Sequence, residues 1–590
     1  MKISNNKYNY KNIPNQIPQK LANSPKEKPL NYTSSTFNPS YYNYFPNINF
    51  GTKGNNLKFV NKAIGSKNLP QIANDLNSIK TNFHAMMKTN NSLGRLNMIY
   101  ETAFGKNDIR GIYGEDISEE LFFYTGRGYI RFIAEKTGKL PEQILVTICR
   151  DARLSSPSLN DALTKGVLSL GARVIDLGLA PTPIGYYSEV KGINRLITQE
   201  QEIDGALIVT ASHNPSQYNG LKMTFDKHSL NEEQIKEVKA LTLAEHKQYP
   251  PQIMQAVEIS AAKLQNYDLI HDYVSDLSSQ FGKIGAGIKV VVDSANATGG
   301  IVAPRLYRAL GCEVIELYSN PDGRFPHHHP NPSDERTLID LKKAVVANNA
   351  DLGIAFDGDS DRIGVVTSEG EALTGDKLLL IYANDYLDSL PDKSHAPAIV
   401  SEVKCSQVLY DTINQNGGSA IMCKTGHGYI KSKMRETGAL LAGEMSGHVF
   451  FKDRYHGFDD AVYAGCRIIE IVSKHKSAKP EFKMNELLEP FRKVFISKEI
   501  RLPCPNNKKK IVLDQFQNYV AEHPKMFSDD ILDIVTLDGM RIVFDGGFAL
   551  VRQSNTEPVF TLRFEGKTQT LCDIYTKVMT DKLTELVEKN

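Results

Sequence analysis

From about residue 100 onward the chain alternates short apolar runs with amphipathic stretches. "ILVTICR", "ARVIDLG" and "GALIVTAS" read as strands, and "SPSLNDALTKGVLSL" between them carries apolar positions at helical spacing. The same grammar returns in "IKVVVDSANATGG", "IVAPRLYRALG" and "EVIELY". It comes a third time in "PAIVSEV", "KCSQVLYDTINQNG" and "SAIMCK". Strands alternating with helices in this way predict three successive α/β blocks with largely parallel sheets. No residue-level repeat links the blocks. From about residue 490 the pattern changes: "FISKEIRL", "DGMRIVFDGGFALVRQSN" and "VFTLRFEG" read as strands before a closing helix, which predicts a smaller α+β domain.

Before residue 100 the alternation is absent. Residues 1–100 hold 21 Asn and carry 13 Lys/Arg against 2 Asp/Glu, whereas the remainder carries 56 against 66. Such a segment buries little, so residues 1–97 are expected to form a basic, largely disordered extension. Within it, "LPQIANDLNSIKTNFHAMMK" predicts one appended helix. A basic tail can touch nucleic acid or a membrane, but a solvated tail with no partner explains the charge as well, and no nucleic acid is required. No run approaches the roughly 18 apolar residues of a membrane span. Seven scattered cysteines without a CxxC pair favour a reduced, cytoplasmic compartment.

Four loops carry candidate chemistry. In "TASHNPSQYNGLK", Ser212 is followed by His213 and Asn214, with Lys222 ten residues on. A serine hydroxyl needs a proton acceptor or a stabilised product to act as a nucleophile. The loop alone fits a serine capping a helix or turn better than a nucleophile, and no G-x-S-x-G elbow supports a hydrolase. In "DLGIAFDGDSDRIGVVTS", Asp357, Asp359 and Asp361 alternate between two apolar strands, as oxygen ligands of a hard divalent cation do. An EF-hand is excluded, because its sixth position holds Arg362 and its twelfth Ser368. Without a cation, charges packed between buried strands would be costly.

The third loop, "LLAGEMSGHVFF", spaces Glu444, Ser446 and His448 by two, a set suited to sugar hydroxyls or to an ordinary strand turn. Lys404, Lys424 and His427 lie in nearby segments. The fourth, "VRQSNTEP", offers Arg552 for bidentate phosphate binding, with Ser554, Asn555 and Thr556 completing a polar cup. A plain hairpin loop is its alternative. The run "FPHHHPNP" reads as a rigid surface turn.

With "TASHNP", "DGDSDR", "GEMSGH" and "RQSNTEP" in this order, the chain from about residue 98 to its end resembles the α-D-phosphohexomutases, in particular their bacterial phosphomannomutase/phosphoglucomutase branch. "FGKNDIRG", "CRDARLSS", "APTP" and "GFDDA" add to the resemblance. It implies four domains around a central cleft: α/β domains at 98–262, 263–371 and 372–489, and a smaller α+β domain at 490–590. It implies a phosphorylated Ser212 and Mg²⁺ held by Ser212, Asp357, Asp359 and Asp361. A hexose 1,6-bisphosphate would serve as intermediate and activator. Arg110, Lys222, Arg362 and Lys404 would neutralise charge, with His213 and Asn214 beside the ester. Glu444 and Ser446 would read sugar hydroxyls, and Arg552, Ser554, Asn555 and Thr556 would grip the non-reacting phosphate. Lys222, His427, His448 and Arg110 remain open as proton-transfer groups.

The implied activity moves a phosphoryl group between positions 6 and 1 of mannose or glucose phosphate, in a monomer or weak oligomer. A phosphoglucosamine mutase and a silent sugar-phosphate-binding homologue are the alternatives. Two positions depart from the family pattern. Asn107 stands where Tyr is common, and Ser360 replaces a glycine, which is tolerable with φ negative there.

Overall fold

The computed structural model describes residues 101–191, 201–257, 259–392, 394–554 and 557–590. The expected extension 1–97 and most of the segment "NRLITQEQEIDG" lie outside the described residues, as do Asn555 and Thr556. Four sheets follow one another along the chain. In the first, strands Leu145–Arg150, Arg173–Leu179 and Gly205–Val209 pair in parallel, and Tyr218–Phe225 joins one side antiparallel. The short strand Leu264–Asn266 joins the opposite edge of the same sheet.

The second sheet centres on parallel strands Lys289–Asp293, Glu313–Leu317 and Leu352–Phe356, with Ile363–Thr367 antiparallel at its side. The third repeats the plan with Ala398–Glu402, Ser419–Cys423 and Leu441–Gly443, then Val449–Phe451 antiparallel. In each of these sheets the parallel core passes into an antiparallel neighbour, beyond which Ile109–Ile112 pairs in the first sheet and Ala372–Leu373 in the second. The fourth is antiparallel throughout among the described residues, with helices Asn506–Glu522 and Gln569–Lys589 alongside.

Helix boundaries follow local chemistry. Helix Glu119–Thr137 starts behind Ser118, whose hydroxyl accepts from Leu121 N, carries Glu119 and Glu120 in its first turn, and ends at left-handed Gly138. A continuous apolar core runs through all three α/β units: Tyr187 and Ile208 of the first belong with Val292 and Ile354 of the second and Phe451 of the third. Tyr273 and Tyr307 reach helix Ala461–Ala478 and its cap, bonding Asp460 at 2.9 Å and Val462 O at 3.1 Å. The fourth unit keeps its own core, around Phe516, Phe544 and Tyr575.

A polar seam joins the fourth unit to the third. Buried Arg541 donates to Val403 O (2.6 Å) and Cys405 O (2.9 Å), and Arg563 to Lys404 O (2.7 Å). Glu565 receives the Ser406 hydroxyl and, at 3.1 Å, Gln407 N. Burial pushes the Glu565 carboxyl from 4.5 up to about 7, despite the opposing pull of Ser406 and the two arginines. A carboxyl that holds its proton more tightly when folded contributes stability in full below the unfolded value, and loses it as pH rises towards the folded one. At ~1.4 kcal/mol per unit the seam should lose up to about 3 kcal/mol between pH 4.5 and 7. Glu565→Gln, whose amide oxygen can accept from Gln407 N while its N–H donates to the Ser406 hydroxyl, should flatten that dependence in urea unfolding at pH 5 and pH 8. An unchanged slope would assign it elsewhere.

Candidate active site

All four candidate loops occupy one topological position. Residues 210–217 link Gly205–Val209 to antiparallel Tyr218–Phe225, and 357–362 link Leu352–Phe356 to Ile363–Thr367. Residues 444–448 link Leu441–Gly443 to Val449–Phe451, and 554–558 link Gly547–Gln553 to Val559–Gly566. The first three leave the carboxyl ends of parallel strands, where open α/β sheets form their crevices. The repeat invisible at residue level is thus a repeat of topology.

Ser212 is 2% exposed and sits at φ +50°, a left-handed conformation that costs of order 1–3 kcal/mol for a non-glycine residue. Its hydroxyl donates to Asp357 Oδ2 at 2.6 Å and lies 3.2 Å from His213 Nδ1. Burial, and then repulsion from Asp361 and Asp359, pushes the Asp357 carboxyl well above the usual range. Oxygens of Asp357, Asp359 and Asp361 all fall within 4.8 Å of one another, and all three residues are buried. Asp359 Oδ1 has no hydrogen-bond partner, and Asp361 Oδ1 has only the long 3.4 Å approach of His448 Nε2. Hard, unsatisfied oxygens crowded in this way fit a small divalent cation.

Register decides where Lys222 goes. It pairs with Ile208 across the antiparallel edge, and its Nζ lies 2.6 Å from Asp359 Oδ2 while also bonding Asp361. Burial works against its charge, but the two aspartates hold the ammonium well protonated. Ser360 corrects the expectation of a negative φ: it sits at +59°. Ser360 closes a tight turn, its N donating to Asp357 O at 3.2 Å, and its reversed backbone is held by Ala461 N, which donates to Ser360 O at 3.2 Å.

The third loop closes on the aspartates. His448 Nδ1 lies 2.8 Å from Ser446 Oγ and 2.9 Å from Glu444 Oε2, and its Nε2 is 3.4 Å from Asp361 Oδ1. Burial would lower His448, but Asp361 and Glu444 lift it to about 9 against the neighbouring Arg362. Burial would raise Glu444, and His448 with His427 and Gly426 N–H brings it to about 2. His427 stacks on His448 with centroids 5.7 Å apart, its Nδ1 lies 3.6 Å from Asp459 Oδ2, and burial lowers it to about 4.

Arg110 Nη1 donates to Asn214 Oδ1 at 2.8 Å and its other terminal nitrogen pairs with Asp108. Arg362 Nε lies 3.4 Å from His448 Nε2 and 3.9 Å from Asp357 Oδ2. Lys404 lines a cleft of about 690 Å³ with Met445 and Arg563. Arg552, on the fourth hairpin, donates from Nε to Asp538 Oδ2 at 2.7 Å, and that oxygen also accepts from Thr425 N at 3.1 Å. The Ser554 hydroxyl accepts from Glu557 N at 3.2 Å. The second loop thus touches both the first and the third, whereas the fourth hairpin reaches the third unit through Asp538.

Sequence reasoning passed over several residues here. Thr182, in "APTP", donates its hydroxyl to Asp359 Oδ2 at 2.6 Å. Asp459, in "GFDDA", lies under His427 and pairs with Lys431 Nζ at 2.6 Å. Both strings were visible as motifs, but nothing local to them names their partners. The run 327–329 is a pinned surface turn: His327 is exposed and stacks on Tyr318 at 3.9 Å, and His328 Nε2 lies 3.0 Å from buried Asp293.

Comparison with known proteins places this arrangement. The profiles of the phosphoglucomutase/phosphomannomutase alpha/beta/alpha domains I, II and III match residues 101–249, 271–370 and 374–491, and that of the C-terminal domain matches 499–573. The chain belongs to the phosphoglucomutase/phosphomannomutase family. Phosphomannomutase/phosphoglucomutase of Pseudomonas putida is 37% identical over 79% of this chain and 92% of its own length. Phosphoglucomutase of Neisseria meningitidis is 36% identical over 79% and 93%. A crystal structure of a family member from Burkholderia thailandensis, 34% identical, superposes with a TM-score of 0.70 over 83% of this chain and 98% of that one. Aspergillus fumigatus N-acetylphosphoglucosamine mutase, solved as a variant with glucose 1,6-bisphosphate, is 13% identical with a TM-score of 0.51 over 83% of this chain and 96% of that one, and shares the fold. The family is one of mutases, and its three α/β/α domains and C-terminal domain are the four units described above. No described helix is long and apolar enough to cross a membrane.

Proposed function

We propose that this mutase exchanges the 6- and 1-phosphates of mannose and glucose through a phosphoserine at Ser212. The observation that carries the reading is the Ser212 hydroxyl 2.6 Å from Asp357 inside the buried aspartate triplet. An ester oxygen there would share one Mg²⁺ with Asp357, Asp359 and Asp361. That ion, when bound, offsets the charge of the phosphoryl group in transfer.

The chain's own residues do the rest. As the Ser212 O–P bond breaks, a bond forms to the free sugar hydroxyl, whose proton leaves to a base, and a hexose 1,6-bisphosphate results. After the sugar turns over, the second phosphate returns to Ser212. Lys222, Arg362 and Arg110 face the transferring group, and Asn214 is held in place by Arg110. His427 is the favoured proton acceptor: it is neutral near pH 7, and with its buried Nδ1 turned to Asp459 its Nε2 is the nitrogen to take the proton. His448 is committed to Glu444, Ser446 and Asp361.

Glu444 and Ser446 read two sugar hydroxyls in either orientation. Lys404, Arg552, Ser554, Asn555 and Thr556 hold the phosphate that does not react. Removing one charge-assisted phosphate contact costs about 1.5–3 kcal/mol. Arg552→Ala should therefore raise KM for glucose 1-phosphate roughly 10- to 100-fold, read by steady-state kinetics. An unchanged KM would place the phosphate elsewhere.

The specificity test is a coupled assay with mannose 1-phosphate, glucose 1-phosphate and glucosamine 6-phosphate, each with bisphosphate present. Turnover of the first two supports this reading. Preference for glucosamine 6-phosphate would favour the phosphoglucosamine alternative. All seven cysteines are buried and free, which suits work in the cytoplasm.

A further inference from the structure

We infer that Arg153 is the positioning residue of the phosphoserine loop, an inference that rests on Ser212 as nucleophile. Arg153 is fully buried in the turn after strand Leu145–Arg150 and reaches no sugar-binding group. Its guanidinium instead gathers the backbone of the loop. Nη2 donates to Ser212 O and Asn214 O, both at 2.7 Å, and Nη1 to Pro215 O at 2.6 Å and Tyr218 O at 3.1 Å. Nε donates to Asp151 Oδ2 at 2.9 Å.

Asp151 extends the hold. The same oxygen accepts the Thr210 hydroxyl at 2.8 Å, and Thr210 Oγ1 accepts from Ser212 N at 2.9 Å. Asp151 Oδ1 accepts the Ser156 hydroxyl at 2.5 Å and Arg153 N at 3.0 Å. Both backbone polar groups of Ser212 are thus tied to one buried ion pair, the N–H through Thr210 and the carbonyl through Arg153. A residue in a left-handed conformation persists when its surroundings over-determine it, and here they do.

The same carbonyl sets the distance to the aspartates. Gly358 packs so closely that a Cβ there would lie 2.3 Å from Ser212 O. On its other side Arg153 stacks under Phe325, 5.3 Å from the ring centre, and a Cβ at Gly323 would lie 2.3 Å from Ala152 O. The second domain therefore covers the guanidinium that locates the first domain's nucleophile. Four carbonyls fanned around one group require a planar fork of donors, which lysine lacks.

The test is Arg153→Lys, which keeps the charge beside Asp151 and loses the fork. A displacement of the order of 1 Å in reacting groups costs about 100-fold. We expect kcat to fall roughly 10- to 100-fold with KM for glucose 1-phosphate within about threefold, since the sugar and phosphate grips lie on other loops. Single-turnover transfer from the phosphorylated enzyme to glucose 6-phosphate should slow in parallel, a rate that does not depend on the fraction folded. Asp151→Asn leaves Arg153 in place and releases its anchor, and should lower kcat in the same sense with KM again held. It serves where Arg153→Lys yields no folded protein.

A kcat within twofold of wild type in either folded variant, or a loss confined to KM, would overturn the inference. Ser212→Ala runs beside them. If it turns over, the nucleophile assignment falls and this inference with it. If it is dead while Arg153→Lys is normal, only this inference falls.

Discussion

Ser212→Ala is expected to abolish mutase turnover, by at least roughly 10⁴-fold in kcat, the scale on which removal of a covalent nucleophile acts. The substitution removes one oxygen from a site whose other parts hold each other. Asp357 retains the Arg362 and Asp361 N–H groups, and Lys222 retains both of its aspartates. The variant should therefore fold and still bind hexose phosphate. Incubation with glucose 1,6-bisphosphate should add about 80 Da to the wild-type chain and nothing at this position in the variant, read by intact mass and peptide mapping. Wild-type-like turnover in a clean preparation of the variant would end the phosphoserine proposal.

Chelation of divalent ions should be nearly as severe. Three buried aspartates crowd within 4.8 Å, with one ammonium between two of them and a neutral hydroxyl on the third. An ion bound there relieves repulsion that the fold otherwise carries, so it should stabilise the protein as well as support catalysis. Magnesium at about 100-fold above its dissociation constant would add roughly 2.7 kcal/mol to stability. We expect activity to fall more than about 100-fold in chelator and return with Mg²⁺, and thermal unfolding to shift upward with Mg²⁺. Asp359→Asn should lose most of both responses. A melting curve indifferent to Mg²⁺, with full activity in chelator, would refute the site.

Much of this site was readable from the chain because its chemistry lies in short contiguous loops. Asp357, Asp359 and Asp361 share one turn between apolar strands, and their spacing alone pointed to a cation. Glu444, Ser446 and His448 likewise lie on one turn, and the structure joins them through His448 Nδ1. What escaped were residues whose partners are distant in sequence. Thr182 meets Asp359 177 residues away, and Arg153 gathers carbonyls about 60 residues on. Neither motif string carries any sign of those contacts. The φ of Ser360 escaped for another reason: left-handed geometry leaves no trace when a serine takes a glycine's place.

Hydrophobic alternation was enough, by itself, to set the α/β class and the smaller last domain, and the order of four loop motifs carried the family resemblance that implied the type of reaction. Both are properties of neighbours along the chain: strand and helix follow from local periodicity, and a loop's donors from its own residues. Tertiary structure alone decided that each loop bridges a strand and its antiparallel neighbour, that Ser212 and Asp357 stand 2.6 Å apart across 145 residues, and that Asp538 links Arg552 to the third domain. Those facts depend on sheet order, register and packing between domains, and many different chains with the same local pattern could have arranged them otherwise.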